Sequence, residues 1–254
     1  MILFLIDCQN DFINGALPVK GAVKDMERLT DFIDKHSSEI DEVYATLDSH
    51  RTIHIAHPIW WVNSNGDHPA PYTIITKDDV NSSKWIANNI AYTSYSIDYV
   101  TQLGSMMVWP PHCLIGTEGH AIVSNVHEAL QRWEKKHFKT VNYINKGSNI
   151  KTEHFSAIKA SVVDSSDHST DLNRELIDSL EGKLVYIAGE ASSHCVADTT
   201  SDLIFNFKNI ENAKKVTLLS DIMSPVPACE HMQDKFFEKM LKVGVNIIKS
   251  TDIK

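Results

Sequence analysis

Blocks of lysine and arginine are missing from this chain. Its 24 basic residues are dispersed among 33 acidic ones, for a net charge of −9 over 254 residues. A nucleic-acid binder needs a concentrated basic face, so nucleic acid is excluded as the expected partner. Long hydrophobic runs are missing too, and nothing approaches the length of a membrane-spanning helix. The apolar start, Met1 to Ile6, is short, has no basic leader and runs straight into Asp7. It reads as a buried first strand rather than a signal peptide. Cysteine is sparse: Cys8, Cys113, Cys195 and Cys229 are widely scattered. That spacing gives no disulfide framework and fits free thiols in a reducing compartment, so a cytoplasmic protein is expected.

What is present is an alternation of short apolar runs and longer amphipathic stretches. The strand candidates are Ile2 to Ile6, Glu42 to Leu47, Thr140 to Ile144, Leu184 to Ala188, Val216 to Leu219 and Val245 to Ile248. Each has the length of a strand covered on both faces. Helical stripes lie between them: Val23, Met26, Leu29, Phe32 and Ile33; then Ile122, Val126, Leu130 and Trp133; then Leu172, Leu176, Ile177 and Leu180; and Phe236, Phe237, Met240 and Leu241, stopped near Gly244. This alternation predicts an α/β fold, a three-layer α/β/α arrangement on a mostly parallel six-stranded sheet with Rossmann-like topology. One domain spanning residues 1–254 is expected. From about 58 to 108 the chain is rich in Asn, Asp, Ser, Pro and Trp without a clean period, and reads as a long loop insertion over the active face.

In such a sheet chemistry collects at the carboxyl ends of the strands. Cys195 follows the fourth strand candidate and a polar turn, at the expected start of a helix, where the helix terminus favours a thiolate and offers free N–H groups to an oxyanion. Asp7 follows the first strand; beside apolar residues it is a candidate general base, a turn-capping aspartate being the alternative. Asp48-Ser49-His50 follows the second strand, with His54 and His57 close behind, and His112 is held by Pro110 and Pro111. Asp and His two apart can face one metal ion, although thirteen histidines make a chance cluster easy. Lys146-Gly147 ends the third strand candidate. A strand-end lysine is usually solvated, but beside a cysteine and an aspartate its ammonium would lower the thiol pKa and hold the carboxylate in place.

Taken in order, Ile6-Asp7-Cys8-Gln9-Asn10-Asp11-Phe12, Asp48-Ser49-His50, Trp109-Pro110-Pro111-His112-Cys113, Lys146-Gly147 and the run from Gly189 to Val196 resemble the nicotinamidase and isochorismatase-like cysteine hydrolase family over nearly the whole chain. The resemblance implies an isochorismatase-like fold and a catalytic triad of Asp7, Lys146 and Cys195. It also implies an oxyanion hole from the N–H groups of Ala191 and Cys195, with a cis Glu190–Ala191 peptide. A divalent metal, zinc in the first instance with iron or manganese as alternatives, would be held by Asp48, His50 and His112, with His54 near it. Phe12 and Trp109 would flank the substrate ring. The implied reaction is hydrolysis of nicotinamide to nicotinate and ammonia through a Cys195 thioester, a step of NAD salvage.

The chain departs from the family pattern at Ser193, where an aspartate is usual, at His194, a variant of the more frequent tyrosine, and at Phe155, which loses a tyrosine hydroxyl. The insertion, with Trp60, Trp61, Tyr72 and Trp85, is also longer than in compact nicotinamidases. Pocket shape decides which amide fits, so the alternatives are an amidase for another small amide, carbamoyl or ureido compound, and a catalytically silent member that binds a ligand or partner protein. Isochorismate ether hydrolysis would leave Cys195 without a role. A small-molecule amide is the expected partner, and the sequence leaves a homo-oligomer open.

Overall fold

The computed structural model describes residues 1–253. Six strands build the central sheet: β1 (Ile2–Ile6), β2 (Glu42–Asp48), β3 (Asn142–Lys146), β4 (Val185–Gly189), β5 (Val216–Leu219) and β6 (Asn246–Ile248). Their spatial order is β6-β5-β4-β1-β2-β3, and every adjacent pair is parallel. The order reverses direction between β1 and β4. In open parallel sheets that switch point leaves a crevice beyond the strand ends, where ligands bind.

Residues along β1 show why the sheet is covered on both sides. Leu3 and Leu5 join one buried cluster, whereas Ile2, Phe4 and Ile6 join the other. Alternate side chains of a strand point to opposite faces, so an unbroken apolar run requires two apolar layers. The first layer comes from the Ala22–Lys35 and Ser124–His137 helices through Met26, Leu29, Phe32 and Ile33, and Val126, Leu130 and Trp133. The second comes from the Arg174–Leu180, Cys195–Phe205 and Glu230–Lys242 helices. Val23 and Leu241, read as part of the apolar stripes, are exposed and lie outside these clusters. Among the described residues no helix is long and apolar enough to cross a membrane.

Two expectations change. The third strand runs to Lys146 and lies at the sheet edge, with Asn142, Tyr143 and Asn145 exposed, so it is not buried on both faces. The 58–108 segment is more than loop. Trp61–Val62 pairs with Ile86–Ala87, Ile74–Thr76 pairs with Ser105–Met107, and Thr93–Leu103 is a helix. Its Trp60, Trp61, Ile75, Tyr99 and Val100 belong to the same buried cluster as the sheet. Helix and strand periods alternate there over a few residues each, which is why no single period emerges from the sequence.

Gly189 ends β4 with φ 120°, and a Cβ at this position would drive into the Ile6 carbonyl of β1. Close backbone approach and a positive φ both demand glycine. Gly189→Ala is expected to lower stability by at least ~2 kcal/mol, read as a fall in the urea midpoint; an unchanged midpoint would refute this packing constraint.

Candidate active site

The ends of four adjacent strands, β4, β1, β2 and the edge strand β3, deliver the polar side chains to one place. Register aligns Asp48 with Lys146 across β2 and β3, and Ile6 with Gly189 across β1 and β4. Asp7 follows β1 with a left-handed backbone, φ 47°. Its N–H donates to Thr46 Oγ1 at 2.9 Å, and the Thr46 hydroxyl donates back to Asp7 Oδ1 at 2.5 Å. Cys195 opens the Cys195–Phe205 helix, facing the β1 end.

Lys146 ties these parts together. Its Nζ lies 2.8 Å from Asp7 Oδ2, 3.1 Å from Asp48 Oδ1 and 3.6 Å from Cys195 Sγ, and it donates to the His154 carbonyl at 2.9 Å. Asp7, Asp48, Lys146 and Cys195 are all buried. Burial alone would lower the lysine pKa, but Asp48 and Asp7 outweigh it and hold the ammonium charged. Burial raises the Asp7 pKa above the ordinary carboxylate value, helped by Asp48 and opposed by Lys146. Burial also raises the Cys195 thiol well above its usual value, and Asp7 and Asp48 add to that rise against Lys146. The lysine therefore acts on the thiol in the direction expected from sequence, yet burial wins. Cys195 thus rests as a thiol beside a carboxylate of raised proton affinity, an arrangement suited to moving a proton during an attack by sulfur rather than before it.

The Glu190–Ala191 peptide is cis. Neither the Ala191 nor the Cys195 N–H donates to a protein acceptor among the described residues, whereas the neighbouring Ser192 and Val196 N–H groups bond to Ser224 and Ala191 carbonyls. Two free donors beside a thiol are an arrangement that could receive an oxyanion.

Asp48, His50 and His112 converge, their donor atoms all within 4.8 Å of one another. Asp48 Oδ2 is 2.9 Å from His50 Nε2 and 3.4 Å from His112 Nε2. His112 Nδ1 is 2.8 Å from the Pro110 carbonyl, which fixes the proton there and leaves Nε2 a free lone pair toward Asp48. Neither ring nitrogen of buried His50 makes an aligned hydrogen bond. Close approach without hydrogen-bond alignment is what ligands of a common ion show. Two carboxylates, Asp7 and Asp48, face one lysine, and Glu153 Oε1 lies 3.7 Å from His50 Nε2. A divalent cation would offset that excess of negative charge, so the residues fit the metal, and an oxygen-plus-imidazole set suits zinc, iron or manganese.

The remaining expected residues fall into place unevenly. Phe12 and Trp109 line the chamber over Cys195 together with His112, Phe155 and His194. His54 packs edge-on to His50 at 4.4 Å, but its Nδ1 accepts from the Ala56 N–H and its Nε2 bonds to the Thr152 carbonyl. His57 is buried with Nδ1 on the Thr52 carbonyl and an Nε2 that has no partner, so it points a free nitrogen into the histidine group that His54 does not. Its signal was the third histidine of the His50-x3-His54-x2-His57 spacing.

Three supporting residues were not singled out from sequence. Gln9 brackets the Asp48 backbone, donating to its carbonyl at 2.8 Å and accepting its N–H at 2.7 Å. Asp11 Oδ2 accepts the Cys113 N–H at 2.6 Å and so anchors the His112 loop. Both sit in the run after Asp7, where polar residues in an apolar setting were a usable signal. Glu190 is fully buried, accepts the Ser224 N–H at 3.1 Å and is pushed well above the usual carboxyl pKa by burial and by nearby Asp25. No local pattern marks that pairing.

Two outcomes follow from the histidines. Burial lowers His57 to about 3, and His154 and His194 to about 4, from the ordinary 6.5. The folded chain then binds fewer protons than the unfolded chain below 6.5, so the stability these groups contribute is complete above pH 6.5 and is lost as pH falls toward 4. The melting temperature of chelator-treated protein should fall across that window, and His194→Phe should flatten the slope; a flat wild-type profile would contradict the assignment. Titration calorimetry of chelator-stripped protein should give one zinc ion per chain, weakened at least ~10-fold by Asp48→Asn or His112→Ala; unchanged binding in both would remove the metal site.

No family model matches the chain, and no curated protein matches its sequence. Among solved structures, the yeast nicotinamidase Pnc1p is 22% identical with a TM-score of 0.67, covering 97% of this chain and 98% of that one. PnC1 from L. infantum in complex with nicotinate is 23% identical with a TM-score of 0.60, over 98% of this chain and 92% of that one. The pyrazinamidase of Pyrococcus horikoshii in complex with zinc is 21% identical with a TM-score of 0.58, over 98% of each chain. The six-stranded parallel sheet and its flanking helices are thus the fold of the nicotinamidase and pyrazinamidase structures, matched over nearly the full chain.

Proposed function

We propose that this chain is a metal-dependent cysteine amidohydrolase acting on a small carboxamide, with nicotinamide hydrolysis to nicotinate and ammonia as its reaction. The observation that carries the reading is the single buried lysine in contact with Asp7, Asp48 and Cys195 at 2.8, 3.1 and 3.6 Å. The complexes with nicotinate and with zinc formed by proteins of the same fold support the substrate class and the ion. The buried, tightly linked catalytic set favours an enzyme over a silent binding protein, because a binding role gives no reason to keep a lysine, two carboxylates and a thiol together away from water.

In this reading the amide carbonyl lies between Cys195 Sγ and the Ala191 and Cys195 N–H groups. Asp7 takes the thiol proton as Sγ attacks the carbonyl carbon, and the oxyanion is held by the two N–H groups. Lys146 keeps its charge throughout and holds Asp7 in place. Asp7 then passes the proton to the departing nitrogen, the C–N bond breaks, and ammonia leaves a thioester on Cys195. Water attacks that thioester as Asp7 accepts its proton; the C–S bond breaks and Sγ recovers a proton. Asp48, His50 and His112 would hold the divalent ion, which supplies a Lewis-acid anchor for a substrate lone pair such as a ring nitrogen. Phe12 and Trp109 would confine the ring. The four free thiols fit a reducing compartment, and the cytoplasm is the proposed location.

Zinc-loaded protein should release ammonia from nicotinamide and from pyrazinamide. Cys195→Ala should lower kcat at least ~10³-fold, and Asp7→Asn ~10²–10⁴-fold. Wild-type ammonia release no greater than that of Cys195→Ala with both amides would overturn the proposed substrate.

A further inference from the structure

A second cavity adjoins the chamber over Cys195. The chamber is the narrower of the two, at about 30 Å³. Its neighbour measures about 370 Å³, the size of a small-molecule pocket. Trp109, Glu153, Phe155 and His194 are walls of both. The three rings of this partition meet edge-on or tilted, with centroids 5.5 to 6.4 Å apart. A ring seated between Phe12 and Trp109 with its carbonyl at Cys195 leaves no space in the chamber for a further substituent, and the space available beyond the partition is the second cavity.

The far walls of that cavity come from the 58–108 segment. Tyr99 and Leu103 project from the Thr93–Leu103 helix, and Met106 and Met107 from the Ser105–Met107 strand; Met232 closes the opposite side from the Glu230–Lys242 helix. Methionines make apolar walls that adapt to irregular shapes. Glu153 and Asp198 are the acidic lining residues, and among the described residues neither lysine nor arginine lines the cavity. His194 is kept neutral by burial, with its pKa lowered to about 4. Nothing there would balance a carboxylate or phosphate, so a negatively charged substituent is excluded by charge as well as by the apolar walls.

We propose that the site also accepts carboxamides larger than nicotinamide, whose uncharged apolar substituent occupies the second cavity, and that Met106 and Met107 determine the size of that substituent. The proposal rests on the amidase reading for the chemistry but not for the binding, and the two can be tested apart.

The test uses zinc-loaded Cys195→Ala protein and titration calorimetry with nicotinamide, 5-phenylnicotinamide, 6-phenylnicotinamide and 5-carboxynicotinamide. At least one phenyl compound is expected to bind tenfold or more tightly than nicotinamide, and the carboxy compound more weakly than nicotinamide. Adding Met107→Trp, at a partly exposed position, should abolish the phenyl advantage. If neither phenyl compound binds better than nicotinamide, or if the advantage survives Met107→Trp intact, the proposal is wrong. Ammonia release by wild-type protein separates the two readings. Tight phenyl binding without turnover would sink the amidase reading alone, whereas nicotinamide turnover without a phenyl advantage would sink the cavity proposal alone.

Discussion

One buried ammonium governs the centre of this molecule. Lys146 is the charge against which Asp7 and Asp48 are both placed. Without it, two desolvated carboxylates would stand side by side, and each would repel the other or take up a proton. With it, Asp48 is held well below the usual carboxylate range by His50 and Lys146 against burial, while Asp7 is left raised. Two aspartates of the same chemistry are thus given different proton affinities by position. One is suited to hold a cation and the other to carry a proton.

The sheet makes this arrangement possible because its strands are parallel. All six point the same way, so β1, β2, β3 and β4 end at one edge and their following residues share one crevice. The apolar strand interiors fix register, and register fixes which polar residue meets which: Asp48 is opposite Lys146 because Tyr44 is opposite Asn142. The glycine at the end of β4 lets the chain turn against β1 closely enough for the Cys195 helix to start over Asp7. Chemistry here is a consequence of backbone alignment.

The strands and their ends were legible because a doubly covered parallel strand must be an apolar run, and the residue that breaks the run is conspicuous. Asp7 and Asp48 were visible for that reason, Cys195 as a thiol opening a helix after such a strand and Lys146 as the end of a strand candidate, and the ordered motifs added His50, His112, Phe12 and Trp109. The residues that escaped act through tertiary contacts that leave no local trace. Glu153 reaches His50 from a long loop and Glu190 meets Asp25 from a distant helix, while His57, visible in the histidine spacing, differs from His54 in leaving its Nε2 without a partner. The 58–108 segment was opaque because its elements are short and share the core of the main sheet instead of owning one. The exposed third strand shows the same limit, since an edge position does not change an apolar-polar pattern enough to announce itself.

That edge strand has a consequence for how the protein fails. Lys146 is carried on β3, which lacks a neighbour on one side and leaves most of its length open to water. Edge elements with few buried contacts open at lower free energy than the core does. Detachment of β3 would leave both apolar layers on the other five strands in place while withdrawing the one ammonium that the described residues bring into the crevice. The charge that organises the crevice is thus carried on an exposed edge, and local opening there would remove it without unfolding the rest of the sheet.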